Sequence, residues 1–477
     1  MRLPESIYEI GDYAIAQCKN LSSIYFESIF VPTITYNSFG DWNSQNENLT
    51  LYVYEEVIDA FKQKYARYSF VANGSVPEDV ATTTIYYATS DNSLINVSNY
   101  IVLSHEFIDD KQGNRLEVLG TMREVPSSLF SGNTKLWSVT LPSSIRVIGT
   151  SAFYGCSSLS YISLPEGLVS IRDNAFYLCE RLSYMTIPQS CEELGSSAFA
   201  GCIAIKKVAV PDNVAKINQE TFKDCTALKT VSLGRGIKTI GSSAFENCTA
   251  ISEINMPEAL ESISSKAFYN SMISGTKFTL PATLKSVGND AFYNCYADVT
   301  INCEIGANMF AGAYFSKATI AEGITSIGVR AFASSYINNL VLPSSLRRIE
   351  KEAFYYCKNA SFNKLPALEY IGDSAFANSS LSEVNITQEG AYIGSGAFAG
   401  CTALKSVILP KGITRIYSST FSGCSSLTSI DIPEGVTSIG NYTFYGCNKL
   451  NSIIIPEGVT YIGEYAFYNC KGLMSLT

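Results

Sequence analysis

Fourteen cysteines and a single histidine are the residues of this 477-residue chain whose chemistry would ordinarily suggest metal binding, redox work or catalysis. The cysteines keep one register. Cys156, Cys179, Cys202, Cys225, Cys248, Cys295, Cys357, Cys401, Cys424, Cys447 and Cys470 each stand three residues after a phenylalanine, and Cys18 follows Ile15 in the same way. Asn133, Ser271, Ala313, Ser335 and Ser379 fill the same slot elsewhere, so the slot asks for a small, semi-buried side chain. A column of reduced thiols packed as small hydrophobes is the direct reading. Rung-to-rung disulfides are its alternative, because stacked coils would bring neighbouring Cα atoms near bridging distance. Cys191 and Cys303 lie off the column.

The remaining chemistry is sparse. His105 sits in an apolar stretch with Ile101, Val102 and Leu103, away from any repeat cysteine, and one histidine does not make a zinc site. No Gly-x-Ser-x-Gly elbow or phosphate-binding loop is present. The pairs Glu55-Glu56 and Glu192-Glu193 read as solvated faces, since a glycosidase dyad needs an enclosed cleft. We therefore expect no catalytic, metal or cofactor site, and a chain that is not an enzyme.

What positions the thiols is a repeat. The alanine-phenylalanine pairs Ala152-Phe153, Ala175-Phe176, Ala198-Phe199, Ala244-Phe245 and Ala267-Phe268 return every 23 residues. A period of this size signals a solenoid whose units cannot bury their own apolar side chains and depend on their neighbours. Within one unit, Ile162 and Leu164 alternate with Tyr161 and Ser163, as in a short strand with one buried face. Pro165, lacking an N–H, ends that strand. Leu168 and Ile171 turn inward on the return path, and the segment from Arg172 to Cys179 reads as a tight helical or 3₁₀ turn whose Phe176 fills the coil. The small Ala175 lets coils stack closely, so a bulkier residue in its slot should force coils apart.

Repeat phenylalanines from Phe130 to Phe467 define sixteen coils, with spacings of 22 to 24 residues except for an 18-residue step from Phe292 to Phe310. The fold class expected is a mostly β repeat solenoid with short strands, short helical turns and one capping helix. Residues 1–71 read as the end of a first array, closed by the strand Leu51–Val53 and an amphipathic helix over Glu55–Tyr68. Residues 72–115 form a β-rich inter-array unit, with a strand over Thr82–Tyr87 and a hairpin turn at Asp109–Asn114. Residues 116–477 form the second array, read as truncated at its C-terminus. The chain likewise reads as starting inside an array. A net charge of −9 with scattered Lys and Arg argues against a nucleic-acid partner, and no apolar run reaches the length of a membrane span.

Written out, the unit is Leu-x-x-Ile-x-Leu-Pro-x-x-Val-x-x-Ile-Gly-x-x-Ala-Phe-x-x-Cys-x-x-Leu, nearly whole in Leu427, Ile430, Ile432, Pro433, Val436, Ile439, Gly440, Phe444, Cys447 and Leu450. This pattern resembles the BspA-like leucine-rich repeat family of bacterial and protist surface proteins, over most of the chain. The resemblance implies a right-handed solenoid, secretion or surface attachment, and adhesion to host proteins or other bacteria. It brings no catalytic residues. The segment Leu51-Tyr52-Val53 resembles the family's closing strand, with Tyr54 where a proline is usual.

Function is therefore sought on the surface. The outward strand column reads Ser138, Tyr161, Tyr184, Lys207 and Thr230, and the position before it reads Trp137, Ser160, Ser183, Lys206 and Lys229. Trp137, Tyr161 and Tyr184, with the basic patch of Lys206, Lys207 and Lys229, form the candidate ligand-binding set, because rigid aromatics are favoured at interfaces. Aromatic stacking that only stabilises the sheet is the alternative. The expected function is a cell-surface or extracellular, non-enzymatic adhesion scaffold for a host matrix or surface protein or a glycan. Its rival is a structural, self-assembling envelope protein. A monomer is expected, with end-to-end association open to it.

Overall fold

The computed structural model describes all residues except 4–6, 8, 16–17, 19–20, 22, 27–32, 35–49, 54–61, 63, 65–69, 73–81, 92–101, 109–112, 120–121, 273–274, 359–360, 363–364, 366 and 477. The chain is a parallel β-solenoid of about sixteen coils. It forms two compact units, Met1–Leu168 and Val169–Thr477.

In the second unit the coils stack through register that equals the repeat length. Lys207 pairs with Thr230, Ser262 with Ser286 and Tyr370 with Tyr392, so each residue lies on its equivalent one coil earlier. Two ladders result. One is a sheet running from Lys207–Ala209 to Ser361–Phe362, and the other consists of two-residue strands such as Thr239–Ile240 and Ser262–Ile263. Between them lies the Ala-Phe segment. The expected 3₁₀ turn there takes a different form, a chain of alternating turns. Ala244, Glu246 and Cys248 donate to carbonyls three residues back, whereas Ser243, Phe245 and Asn247 donate to Ser265, Ala267 and Tyr269 of the next coil. Left-handed φ angles of 55° at Ser243 and 60° at Asn247 turn every second amide outward and prevent continuous helix.

The core is the line of phenylalanines. Phe199, Phe222, Phe245 and Phe268 are fully buried and stacked, with centroids 5.3 to 5.4 Å apart. The short coil breaks the stack. Phe292 and Phe310 are 6.4 Å apart and tilted by 40°, and Phe315 packs against both. In the shortened coils the corner after the thiol slot is deleted and the strand begins at once, giving the longer strands Tyr314–Ile320 and Tyr336–Val341.

The first unit holds the parallel series Arg2–Leu3, Ser23–Phe26, Thr50–Val53 and Phe70–Ala72. Of the expected capping helix, only Lys62 and Lys64 fall within the described residues, and both are helical. Beyond this series the pairing turns antiparallel: Thr82–Thr89 pairs with Gly113–Leu119, which pairs with Val102–Ile108. Thr82–Thr89 also pairs antiparallel with Leu136–Thr140, and Tyr87 packs edge-on against Phe130 at 6.2 Å. This strand covers the open edge of the coil that carries Phe130, which the sequence pattern did not reveal. His105 lies within Val102–Ile108 opposite Leu116; its side chain lies outside the described residues.

Candidate functional site

The candidate set divides between the two units. In the first, Ser138 is in register with Tyr161, and the Ser160 amide donates to the Trp137 carbonyl at 2.9 Å. Trp137 and Tyr161 therefore sit on adjacent coils, one residue out of step, at 42% and 44% exposure. Tyr161 projects outward beside the buried Ile162 as alternation requires, whereas Trp137 is outward because the register shifts between Leu136 and Ser138, leaving Leu136 and Val139 both buried. In the second unit Tyr184 is 67% exposed. Lys207 is in register with Thr230, and the Lys229 amide donates to the Lys206 carbonyl at 2.8 Å, so the three exposed lysines lie on two neighbouring coils. Thr230 in turn donates to Glu253 on the following coil at 3.2 Å, which borders the basic run with a carboxylate.

All fourteen cysteines are free thiols. The repeat thiols have a role that the sequence did not show. Most of them donate back to the phenylalanine carbonyl of the preceding coil: Cys202 to Phe176 at 3.1 Å, Cys225 to Phe199 at 3.2 Å, Cys248 to Phe222 at 3.0 Å and Cys447 to Phe421 at 3.2 Å, whereas Cys357 meets the Ser335 hydroxyl at 3.2 Å. Burial pushes the thiols of Cys225, Cys295, Cys357 and Cys447 up to about 12, so they stay protonated as donors. Ser271 and Ser335 in the same slot donate to their own phenylalanine carbonyls instead, at 2.7 Å. Cys18 departs from the column: it is exposed, against the expectation from its register. Off the column, Cys191 is buried and donates to the Glu193 carbonyl at 3.3 Å, and Cys303 is buried.

Beside the thiols runs a polar ladder that sequence reading missed. Asn247 donates to Asp224 at 2.7 Å, Asn270 to Asn247 at 3.0 Å and Asn294 to Asn270 at 2.7 Å. All four occupy the left-handed position two residues after the repeat phenylalanine, where Asn and Asp are tolerated. Their recurrence at that offset was the available signal. The tyrosines next to the phenylalanines stack along the corner, Tyr269 on Tyr293 at 5.1 Å and Tyr445 on Tyr468 at 5.4 Å. Among the described residues, no group of three or more His, Cys, Asp or Glu is placed to hold a metal ion, and no helix is long and apolar enough to cross a membrane.

The stacked coils, the phenylalanine line and the outward strand face define a leucine-rich repeat scaffold. The BspA type Leucine rich repeat region matches residues 1–107, 123–251, 169–299, 303–424 and 369–477, and the chain belongs to that family. Leucine-rich repeats of this kind are protein-binding scaffolds. Similar solved structures include a leucine-rich repeat protein from Bacteroides ovatus, 22% identical with a TM-score of 0.46, over 75% of this chain and 83% of that one. A leucine rich cell surface protein from Faecalibacterium prausnitzii is 25% identical with a TM-score of 0.34, over 79% and 85%. The pneumococcal vaccine antigen PcpA is 19% identical with a TM-score of 0.29, over 81% and 87%. No curated protein sequence matches the chain.

Proposed function

We propose that this protein is a cell-surface or extracellular adhesion scaffold that binds a host protein, a glycan or another cell through the outward strand face of its coils. The observation that carries the reading is the exposure of Trp137 and Tyr161 on adjacent coils. Large aromatics with few rotatable bonds are uncommon at free surfaces and enriched at interface centres. Tyr184 with Lys206, Lys207 and Lys229 offers a second patch of mixed aromatic and basic character, suited to an acidic protein surface. Affinity in such a scaffold accumulates from several weak contacts on neighbouring coils. The organisation into a first array at 1–71, an inter-array unit at 72–115 and a second array from 116 onward belongs to the same proposal.

The test is a binding screen of the whole chain against extracellular-matrix proteins and a glycan array, with Trp137→Ser/Tyr161→Ser and Tyr184→Ser variants in parallel. Surface changes of this type shift stability by about 0.5 kcal/mol each, so the variants should fold. Loss of the parent's binding by the aromatic variants supports the reading. Retained binding by well-folded variants removes these residues from the site.

A further inference from the structure

The second ladder of two-residue strands is interrupted after Glu193–Leu194, after Ser286–Val287 and after Tyr392–Ile393. Tyr370–Ile371 pairs with Tyr392–Ile393, and Arg415–Ile416 pairs with Ser438–Ile439, but no pairing joins Tyr392–Ile393 to Arg415–Ile416. On either side of the break the coils remain joined: Gly390 donates to Lys411 at 2.8 Å and Gly396 to Ser418 at 2.9 Å. Between those two bonds a window opens.

Its cause lies in two slots of the repeat. The residue four before the repeat phenylalanine is usually Gly, and the one just before it is usually Ala. In coils of 22 to 24 residues, enlarging either slot alone is tolerated. Ser264 with Ala267, Glu350 with Ala353, and Gly440 with Thr443 all keep the ladder, their amides at 264, 350 and 440 donating to Ile240, Ile327 and Ile416 at 2.8 to 3.0 Å. Enlarging both opens it. This happens at Asn218 with Thr221 and at Tyr417 with Thr420, where the two threonines are fully buried between coils. At the first, the Asn218 side-chain amide reaches across and donates to the Leu194 carbonyl at 2.7 Å. Tyr417 has no side-chain amide to reach across in this way. The N–H groups of Arg415 and Tyr417 and the carbonyls of Ala391 and Ile393 are left without partners among the described residues.

A cleft of about 170 Å³ occupies this window, lined by Gly390–Ile393 and Gly412–Tyr417. The rings of Tyr392 and Tyr417 form its aromatic boundary, with centroids 5.4 Å apart and planes tilted by 55°. The Arg415 guanidinium lies 5.9 Å from the centre of the Tyr417 ring. Tyr392 is 37% exposed and is backed by Tyr370, stacked at 5.0 Å.

The geometry points to a binding site for a single neutral pyranose sugar between these coils. Each wall presents both kinds of group, the Ile393 N–H with the Ala391 and Ile393 carbonyls on one side and the Arg415 and Tyr417 N–H groups with the Arg415 carbonyl on the other, so the occupant must both donate and accept. Hydroxyl groups do both. An anion would face two carbonyls, and a cation would face two N–H groups and Arg415. At about 170 Å³ the cleft takes a compact occupant of a single ring rather than a peptide segment. An exposed tyrosine face suits the C–H face of a sugar. The site stands independently of the Trp137 and Tyr161 surface.

The test uses the whole chain with the methyl glycosides of glucose, galactose, mannose and N-acetylglucosamine, followed by saturation-transfer NMR and amide exchange. At least one glycoside should bind at millimolar concentration and protect the Arg415 and Tyr417 amides. The double variant Tyr417→Gly/Thr420→Ala restores the usual repeat residues, closes the ladder, and should weaken that binding by about tenfold or more. Tyr392→Ser removes the exposed ring wall without touching the core and should weaken it as well. The proposal is overturned if no glycoside binds, if glycerol competes as well as the sugars, or if both variants bind with unchanged affinity.

Discussion

The sulfur of Cys225 donates to the carbonyl of Phe199 one coil back at 3.2 Å, and that carbonyl also accepts the Cys202 amide of its own coil at 3.2 Å. The thiol column is thus a set of inter-coil hydrogen bonds rather than a store of reactive sulfur. Buried, protonated thiols are poor nucleophiles, because the thiolate is the reactive form. In the native protein at neutral pH only Cys18, which is exposed, should react rapidly with a maleimide, and the column should label after denaturation. Mass spectrometry that finds several native column positions labelled within minutes would contradict this.

Alkaline pH should unfold the protein through the same thiols. Burial raises Cys225 from 9.0 to about 12, with Cys156, Cys295, Cys357 and Cys447 raised likewise. Above pH 9 the unfolded chain loses these protons while the native coils keep them, so stability is intact below that pH and falls as pH rises toward 12. The slope is about 1.4 kcal/mol per pH unit for each thiol. Denaturant midpoints measured across pH 8 to 11 should fall, and less steeply for Cys225→Ala/Cys295→Ala. A flat profile would show that the thiols are not buried as neutral groups.

Phe222→Ala should cost about 3–5 kcal/mol, since it empties a ring sandwiched between Phe199 and Phe245 at 5.4 Å on each side. Lys223→Ala should cost under about 1 kcal/mol. Its ammonium lies 3.8 Å from Glu220 and 3.7 Å from Glu246 at the solvent edge, where ion pairs contribute little. Chemical denaturation of the two variants gives the comparison, and equal losses would reverse the inward and outward assignment.

Gly195→Ala should destabilise by about 1–3 kcal/mol through steric overlap. A Cβ there would lie 2.4 Å from the Arg172 carbonyl carbon and the Asp173 nitrogen, main-chain atoms that cannot move without spreading two coils. Gly306→Ala, where a Cβ meets nothing within 4 Å, is the control and should melt close to the parent. The two melting temperatures decide the matter.

The 23-residue recurrence of Ala-Phe and the fixed place of cysteine were enough to determine the solenoid, its coil count, the inward phenylalanine line and the small-residue slot. Such features follow from period and side-chain size, which a one-dimensional pattern carries in full. The pattern led to the expectation that a larger residue in the alanine slot would part the coils, but Thr443 in that slot leaves the ladder intact, and the openings at Thr221 and Thr420 come with Asn218 and Tyr417 in a second enlarged slot. It showed the candidate surface only as outward positions. Trp137 and Tyr161 proved exposed, but whether a partner uses them is not written in alternation. Tertiary structure alone decided the sulfur bond from Cys225 to Phe199, the Asp224 to Asn294 ladder and the strand Thr82–Thr89 lying over Leu136–Thr140. Each joins groups far apart in the sequence, and its geometry depends on how far one element sits from the next. That spacing is set by the packing of the whole stack and by no single residue.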